Sequence, residues 1–162
     1  MNRQAAALWR ANPTAMETFH SSAAAEPAGA YAHARRVGNL VFLAGIGPRQ
    51  RGSKAIPGVV LGSRGEVVDY DVTAQIDSCW ANVKLVLEEA GSSMEHIVDV
   101  TVFLTDMKRD FAAANAAWAR IFAEKASQPC RTTVEIKSLP QAGDAPIAYE
   151  VKVVAEVAYN QS

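Results

Sequence analysis

The sequence predicts an α+β domain in which a mixed β-sheet carries two helices on one face. Three observations predict it. Two segments repeat apolar residues at helical spacing, short strand-like runs flank them, and 49% apolar residues in 162 fill one core without disulfides or a metal. Sixteen Lys and Arg against 17 Asp and Glu leave a net charge of −1. No basic field of the kind that attracts a phosphate backbone arises from that balance, so nucleic acid is not an expected partner. No apolar run approaches the roughly 18 residues of a membrane span, and the N-terminal stretch lacks the apolar segment and cleavage site of a signal peptide. A soluble, cytoplasmic protein with no membrane partner is expected. Cys79 and Cys130 are too few for a disulfide scaffold or a four-ligand zinc site. His20, His33 and His96 lie far apart without a metal-ligand spacing, so no metal is expected.

Residues 1–28 are rich in Ala and Ser, contain Pro13 and Pro27, and show no sustained period. They read as an extension outside the core, with residues 29–162 as the single domain. Tyr31 to Val37, the pair Gly38-Asn39 and Leu40 to Ala44 read as a β-hairpin. Its second strand is apolar on both faces and is expected to be central. From Gly45 to Gly65, glycines, Pro48, Pro57 and the basic residues Arg49, Arg51 and Lys54 imply a long loop, with a short strand near Val59-Val60-Leu61. Asp71 to Ala90 is the strongest helix. Val72, Ile76, Cys79, Val83, Val86, Leu87 and Ala90 form one stripe, Asp69 or Asp71 can cap the start, and Gly91 suits the position after the end.

Ile97 to Thr105 alternates as a strand, with Val98, Val100, Val102 and Leu104 on one face. A second helix from Arg109 to about Lys125 places Phe111, Ala114, Trp118, Ile121 and Phe122 on one side. Arg131 to Leu139 reads as a strand ended by Pro140. After the loop 141–146, Ile147 to Tyr159 is the last strand, with Tyr149, Val151, Val153, Ala155 and Val157 facing inward. Two helices cover one sheet face only. The other face carries enough apolar residues to predict association with further copies of the chain.

Polar residues on these strands are the candidates for chemistry. Arg131 opens an apolar strand and suits bidentate carboxylate binding, although a strand-end ion pair fits the pattern too. Glu150 would have its pKa raised if poorly solvated, as proton transfer requires; a solvated face shared with Lys152 and Glu156 is the alternative. Cys130 alternates away from the side of Arg131 and has no histidine near it in sequence, which favours a structural thiol over a nucleophile. His33 can act as acid, base or substrate ligand, or as a hydrogen-bonded structural residue. Arg35, Arg36, Arg49 and Arg51 can form an anion site or a solvated loop. Gly45-Ile46-Gly47-Pro48 lacks the third glycine of a dinucleotide-binding turn, so no nucleotide site is expected.

Several segments together resemble the Rid (YjgF-type) enamine/imine deaminase family. They are Gly29-Ala30-Tyr31, Gly38 through Gly45, Asp71-Val72-Thr73-Ala74-Gln75, Asn82-Val83, Val100 through Met107, Phe111 through Asn115, Pro129-Cys130-Arg131-Thr132-Thr133-Val134-Glu135 and Tyr149-Glu150-Val151-Lys152. The resemblance implies a chorismate-mutase-like α+β fold, a barrel-like homotrimer with three sites between subunits, and no cofactor. It implies that Arg131 holds the carboxylate of an enamine or imine acid. Tyr31, Asn115 and Glu150 line the same site, with Glu150 positioning or activating water. The chain departs from the commonest pattern at Ala44, where a serine is usual, and at Thr133, where a cysteine is usual.

Within that family, Tyr31-x-His33-x-Arg35-Arg36-x-Gly38, the basic loop with Gly58-Val59, and Arg131-Thr132-Thr133-Val134 are most similar to the 2-aminomuconate deaminases of bacterial aminophenol and nitroaromatic catabolism. That likeness implies hydrolysis of 2-aminomuconate to 4-oxalocrotonate and ammonia. A second carboxylate would then need a second cation, for which Arg35, Arg49 or Arg51 are the candidates, with His33 as a further donor. A general deaminase of small 2-enamine and 2-imine acids is the alternative, and a non-catalytic ligand-binding trimer is another.

Overall fold

Strand pairing organises the chain, and the computed structural model describes residues 16–140 and 145–157. The strands are β1 (Met16–Phe19), β2 (Ala34–Val37), β3 (Leu40–Leu43), β4 (Val59–Leu61), β5 (Val67–Tyr70), β6 (Ile97–Leu104), β7 (Cys130–Glu135) and β8 (Tyr149–Glu156). Helix α1 spans Val72–Glu89 and α2 spans Met107–Ile121. One six-stranded sheet runs in the order β1-β2-β3-β8-β6-β7, and β4 with β5 forms a separate hairpin. Only β6 and β7 pair in parallel, across the α2 crossover, so the sheet is mixed as expected.

The N-terminal expectation needs correction. Met16–Phe19 pairs with β2 at the sheet edge, and Ser21 and Ala24 are buried. Residues 16–28 therefore belong to the domain; a four-residue edge strand flanked by small residues carries too little periodicity to be seen. Residues 1–15 lie outside the described chain, as do 141–144, the middle of the expected loop before β8, and 158–162, which include the expected strand end at Tyr159. Strand β5 was also unexpected, and its exposed Val68 and Asp69 give it no buried alternation.

Helix α1 ends where its sequence says it should. The Asp71 carboxylate accepts from the amides of Thr73 and Ala74. At the other end Gly91 adopts φ +78°, and the Gly91 and Ser92 amides donate to the Glu88 and Leu87 carbonyls. That pairing closes the helix as a Schellman turn, for which a glycine is the least strained residue. The α1 stripe of Ile76, Val83, Val86 and Leu87 packs on Val41, Leu43, Val100, Val102, Val151 and Val153 from the central strands.

Two core expectations fail locally. A register shift between Ile97 and Asp99 on β6 turns Val98 out to 44% exposure and buries Ile97 in its place. On α2 the inward line is Asp110, Ala114 and Ala117, so Phe111, one residue round from Asp110, is 38% exposed. Asp110 is held inside because its carboxylate accepts from the Tyr70 hydroxyl at 2.8 Å. Burial raises the pKa of both groups, that of Tyr70 to about 12. The sheet face away from the helices presents Met16, Val37 and Phe42, the last 39% exposed, in adjacent paired positions with Arg35.

Candidate functional site

Glu150 lies at the second position of β8, paired with Phe103 and so on the face opposite the buried Tyr149 and Val151. Alternation alone would leave it in solvent beside Lys152. Instead the chain after β3 folds across it. Ile46 bridges to Val151 through two backbone hydrogen bonds of 2.8 and 3.0 Å, which lays Gly45 and Gly47 over the carboxylate. A Cβ at Gly45 would stand 2.3 Å from Glu150 Oε1, and one at Gly47 would stand 3.6 Å from Oε2. Absence of side chains there is what lets the backbone cover the acid. This burial raises the Glu150 pKa above the ordinary carboxylate value, with the charge of Arg49 opposing the shift.

Helix α1 holds that covering turn through successive carbonyls. Cys79 Sγ donates to Ile46 O at 3.0 Å, Ser78 Oγ to Pro48 O at 2.8 Å, and Asn82 Nδ2 to Gly47 O and Arg49 O at 3.0 and 2.7 Å. Gln75 does the same for the start of β8. Its Nε2 donates to Pro146 O and its Oε1 accepts from Ala148 N. Burial pushes the Cys79 thiol well above its ordinary pKa, which suits a structural donor rather than a thiolate. Asn82 and Gln75 sit inside segments that sequence reading quoted only as resemblances. Their signal was a buried amide on an otherwise apolar helix stripe.

A small cleft of about 30 Å³ opens beside this turn, walled by Tyr31, His33, Ala44, Gly45, Arg49 and residues 24–27. Tyr31 is 45% exposed, and its hydroxyl accepts from the Ala28 amide at 3.0 Å. It also borders a broad groove of about 740 Å³ on the uncovered sheet face, with Arg35 and Phe42. Four of the expected site residues, Tyr31, His33, Ala44 and Arg49, thus meet at one cleft, with Glu150 beneath its glycine turn.

Two of the expected substrate donors are committed elsewhere. His33 is buried, its Nδ1 accepts from the Ser21 amide at 2.9 Å, and its Nε2 lies 2.8 Å from the Ala25 carbonyl. Arg51 has all three guanidinium nitrogens engaged, with Ala24 O, Ser21 O and the Glu26 carboxylate. Arg36 is buried and donates to Gly38 O, within 3.9 Å of Glu17. Arg35 keeps an exposed guanidinium whose Nη2 contacts only Met16 Sδ among the described hydrogen bonds.

A second group stands at the far edge of the sheet. Arg131 pairs with Val100 on β7, is exposed, and stacks its guanidinium 4.8 Å from the Trp118 ring centre. Asn115 precedes Trp118 by three residues on α2, so it lies on the same stretch of helix surface. Thr133 is two residues beyond Arg131 and shares its strand face. Cys130 is exposed and pairs with Asp99, on the opposite face from Arg131 as expected. Since Arg131 pairs on the face of Val153 while Glu150 pairs on the other, a single chain holds the two groups apart. No cluster of metal-binding side chains exists among the described residues, and no described helix is long and apolar enough to cross a membrane.

Comparison with known proteins agrees with this architecture. Residues 21–157 match the family model described as endoribonuclease L-PSP. A RutC family protein of Pyrococcus abyssi is 36% identical over 127 residues, covering 78% of this chain and 89% of its own length. The crystal structure of the YjgF gene product of E. coli superposes with a TM-score of 0.68 at 30% identity, over 86% of this chain and 98% of that one. E. coli TdcF, crystallised with bound serine, gives a TM-score of 0.69 at 26% identity, over 88% and 99%.

Proposed function

This chain belongs to the Rid/YjgF family, the one whose model is described as endoribonuclease L-PSP, and on that premise we propose that it hydrolyses 2-enamine and 2-imine carboxylic acids, with 2-aminomuconate as its substrate in the cytoplasmic breakdown of aromatic compounds. The observation that carries the reading is the seating of Glu150: a half-buried carboxyl with a raised pKa, beneath a glycine turn at a cleft. Such a group exists in both protonation states near neutral pH more readily than a solvated one, as an acid and base must.

The chemistry needs no redox step. A proton from Glu150 to the enamine carbon gives the protonated imine (iminium), and the resulting carboxylate then takes a proton from the water that adds to the C=N carbon. The carbinolamine nitrogen is protonated, the C–N bond breaks with its electron pair leaving on ammonia, and loss of the hydroxyl proton gives the 2-oxo acid. Arg131 holds the carboxylate beside the reacting carbon, and Asn115 orients water or the amino group. Arg49 and Arg35 are the cations that remain for the second carboxylate, since Arg51 is engaged by residues 21–26.

The complete site lies between two copies of the chain in a homotrimer, one supplying Tyr31, Ala44 and Glu150 and the other Arg131, Asn115 and Thr133. Support comes from the separation of these groups within one chain and from the exposed Phe42 face and groove beside Tyr31. The test is ammonia release by wild type and Arg131→Ala, supplied separately with fresh 2-aminomuconate and 2-iminobutyrate, with single-stranded RNA as a third substrate. The expected result is turnover of 2-aminomuconate that falls roughly 10²–10³-fold in kcat/KM in Arg131→Ala. Turnover of the small imine alone would make the protein a general deaminase, and RNA cleavage or silence on all three would overturn the reading.

A further inference from the structure

We propose that Arg51 and His33 are positioning residues, which tie residues 21–27 as a strap along the cleft beside the Gly45–Gly47 turn and so fix the hydroxyl of Tyr31. The inference rests on the deaminase reading above and changes the part that two of its polar residues play. Residues 21–27 have no regular secondary structure, yet residues 24–27 line the same cleft as Gly45–Gly47. Their own backbone supplies one short turn, in which Ser21 Oγ accepts from the amides of Ala23 and Ala24 at 3.2 and 2.9 Å. Ser22 Oγ donates to the Glu89 carboxylate at 3.4 Å, and all the other described side-chain bonds to the strap come from Arg51 and His33.

Those bonds divide the strap between them. Arg51 Nη2 donates to Ser21 O at 3.0 Å, Nε to Ala24 O at 3.0 Å, and Nη1 to Glu26 at 2.8 Å. His33 takes the Ser21 amide on Nδ1 and meets the Ala25 carbonyl with Nε2. A planar guanidinium offers donors in a fixed fork, so it can hold three acceptors of one chain segment in register as a flexible ammonium cannot. The neutral His33 tautomer carrying its proton on Nε2 satisfies both of its contacts. The strap then continues to Ala28, whose amide donates to the Tyr31 hydroxyl at 3.0 Å. Tyr31 is otherwise 45% exposed. The orientation of its ring at the cleft is therefore set by a segment that Arg51 and His33 hold down.

The rival role for Arg51 is direct binding of a substrate carboxylate, and the two roles predict different substrate dependence. A ligand to the second carboxylate matters only for a dicarboxylic substrate. A strap anchor matters equally for any substrate, because what it controls is Tyr31. The experiment measures kcat/KM for Arg51→Ala and Arg51→Lys on 2-aminomuconate and 2-iminobutyrate, alone and combined with Tyr31→Phe, together with amide hydrogen exchange across the chain.

The expected result for Arg51→Ala is a loss of roughly ten- to a hundredfold on whichever substrates wild type turns over, by the same factor on each. Arg51→Lys keeps most of that loss, and the combined variant with Tyr31→Phe is no worse than about twofold below the poorer single variant, as residues acting through one group should be. Faster exchange is confined to residues 21–28. A loss confined to the diacid, full activity in Arg51→Lys, additive losses, or unchanged exchange in the strap would each overturn the proposal. If wild type turns over neither acid, the deaminase reading fails on its own, and exchange in residues 21–28 alone decides the strap: faster exchange in Arg51→Ala sustains it and unchanged exchange removes it.

Discussion

The Glu150 end of the molecule and the Arg131 end are built in opposite ways. At the first, a carboxylate is roofed by the Gly45–Gly47 backbone, that turn hangs on four hydrogen bonds to α1, and a strap is tied beside it by five contacts from Arg51 and His33. At the second, Arg131 sits on an exposed edge strand, and its described packing is a stack on Trp118. An exposed, uncovered edge strand is a ready surface for another chain. The contrast teaches that one half of the proposed site is finished by folding, while the other half is left open on a single chain.

Gly45→Ala breaks the finished half with the largest effect. The new Cβ would collide with Glu150 Oε1, the movable end of a side chain, and not with backbone. The carboxyl is displaced while the fold absorbs little. The expected outcome is a loss of about a hundredfold or more in kcat/KM, comparable with moving a catalytic group by an ångström, and a Tm within about 2 °C of wild type. Steady-state kinetics and a thermal melt on the same preparation check both parts.

Glu150→Gln sharpens the comparison with a smaller effect on stability. Burial raises the folded-state pKa of Glu150, so the folded protein binds the extra proton more readily than the unfolded chain does. The stability linked to that proton is fully present below the ordinary glutamate pKa of the unfolded chain and is lost as pH rises through the raised pKa. Glutamine mimics the protonated form and avoids the loss. The variant is therefore expected to be inactive yet at least as stable as wild type at neutral pH, with the difference in Tm closing as pH falls towards 4. Melts of both proteins from pH 4 to 8 measure it. No comparable gain is expected at Arg131, which is solvent-exposed.

Much of this was legible in the sequence. The cap at Asp71, the glycine stop at Gly91, the hairpin at Gly38 and the inward face of β8 all follow from local chemistry and periodicity. The bulge at Val98 was not, because a strand that keeps its apolar alternation on paper can still shift register against its partner. Strand β1 escaped because Met16–Phe19 shows no buried alternation and draws its order from β2. At the site, alternation placed Glu150 on the open face correctly but could not tell a solvated glutamate from a roofed one. The roof is made by a segment that meets β8 only in three dimensions, through Ile46 and Val151. For the same reason the bonds of His33 and Arg51 to residues 21–26 were not legible. Their partners, residues 21–26, looked like a peripheral extension.

The central claim is that Glu150 and Arg131 act together from different copies of the chain. It is tested most directly by co-expressing Glu150→Gln and Arg131→Ala subunits under separate tags and assaying the doubly purified hybrid beside each parent. Each parent should be inactive. In a trimer carrying both tags, whether 2:1 or 1:2, one of the three interfaces joins an intact Glu150 half to an intact Arg131 half, so activity should return to about a third of wild type. A hybrid as inactive as its parents would place both residues in one chain's site and contradict the account.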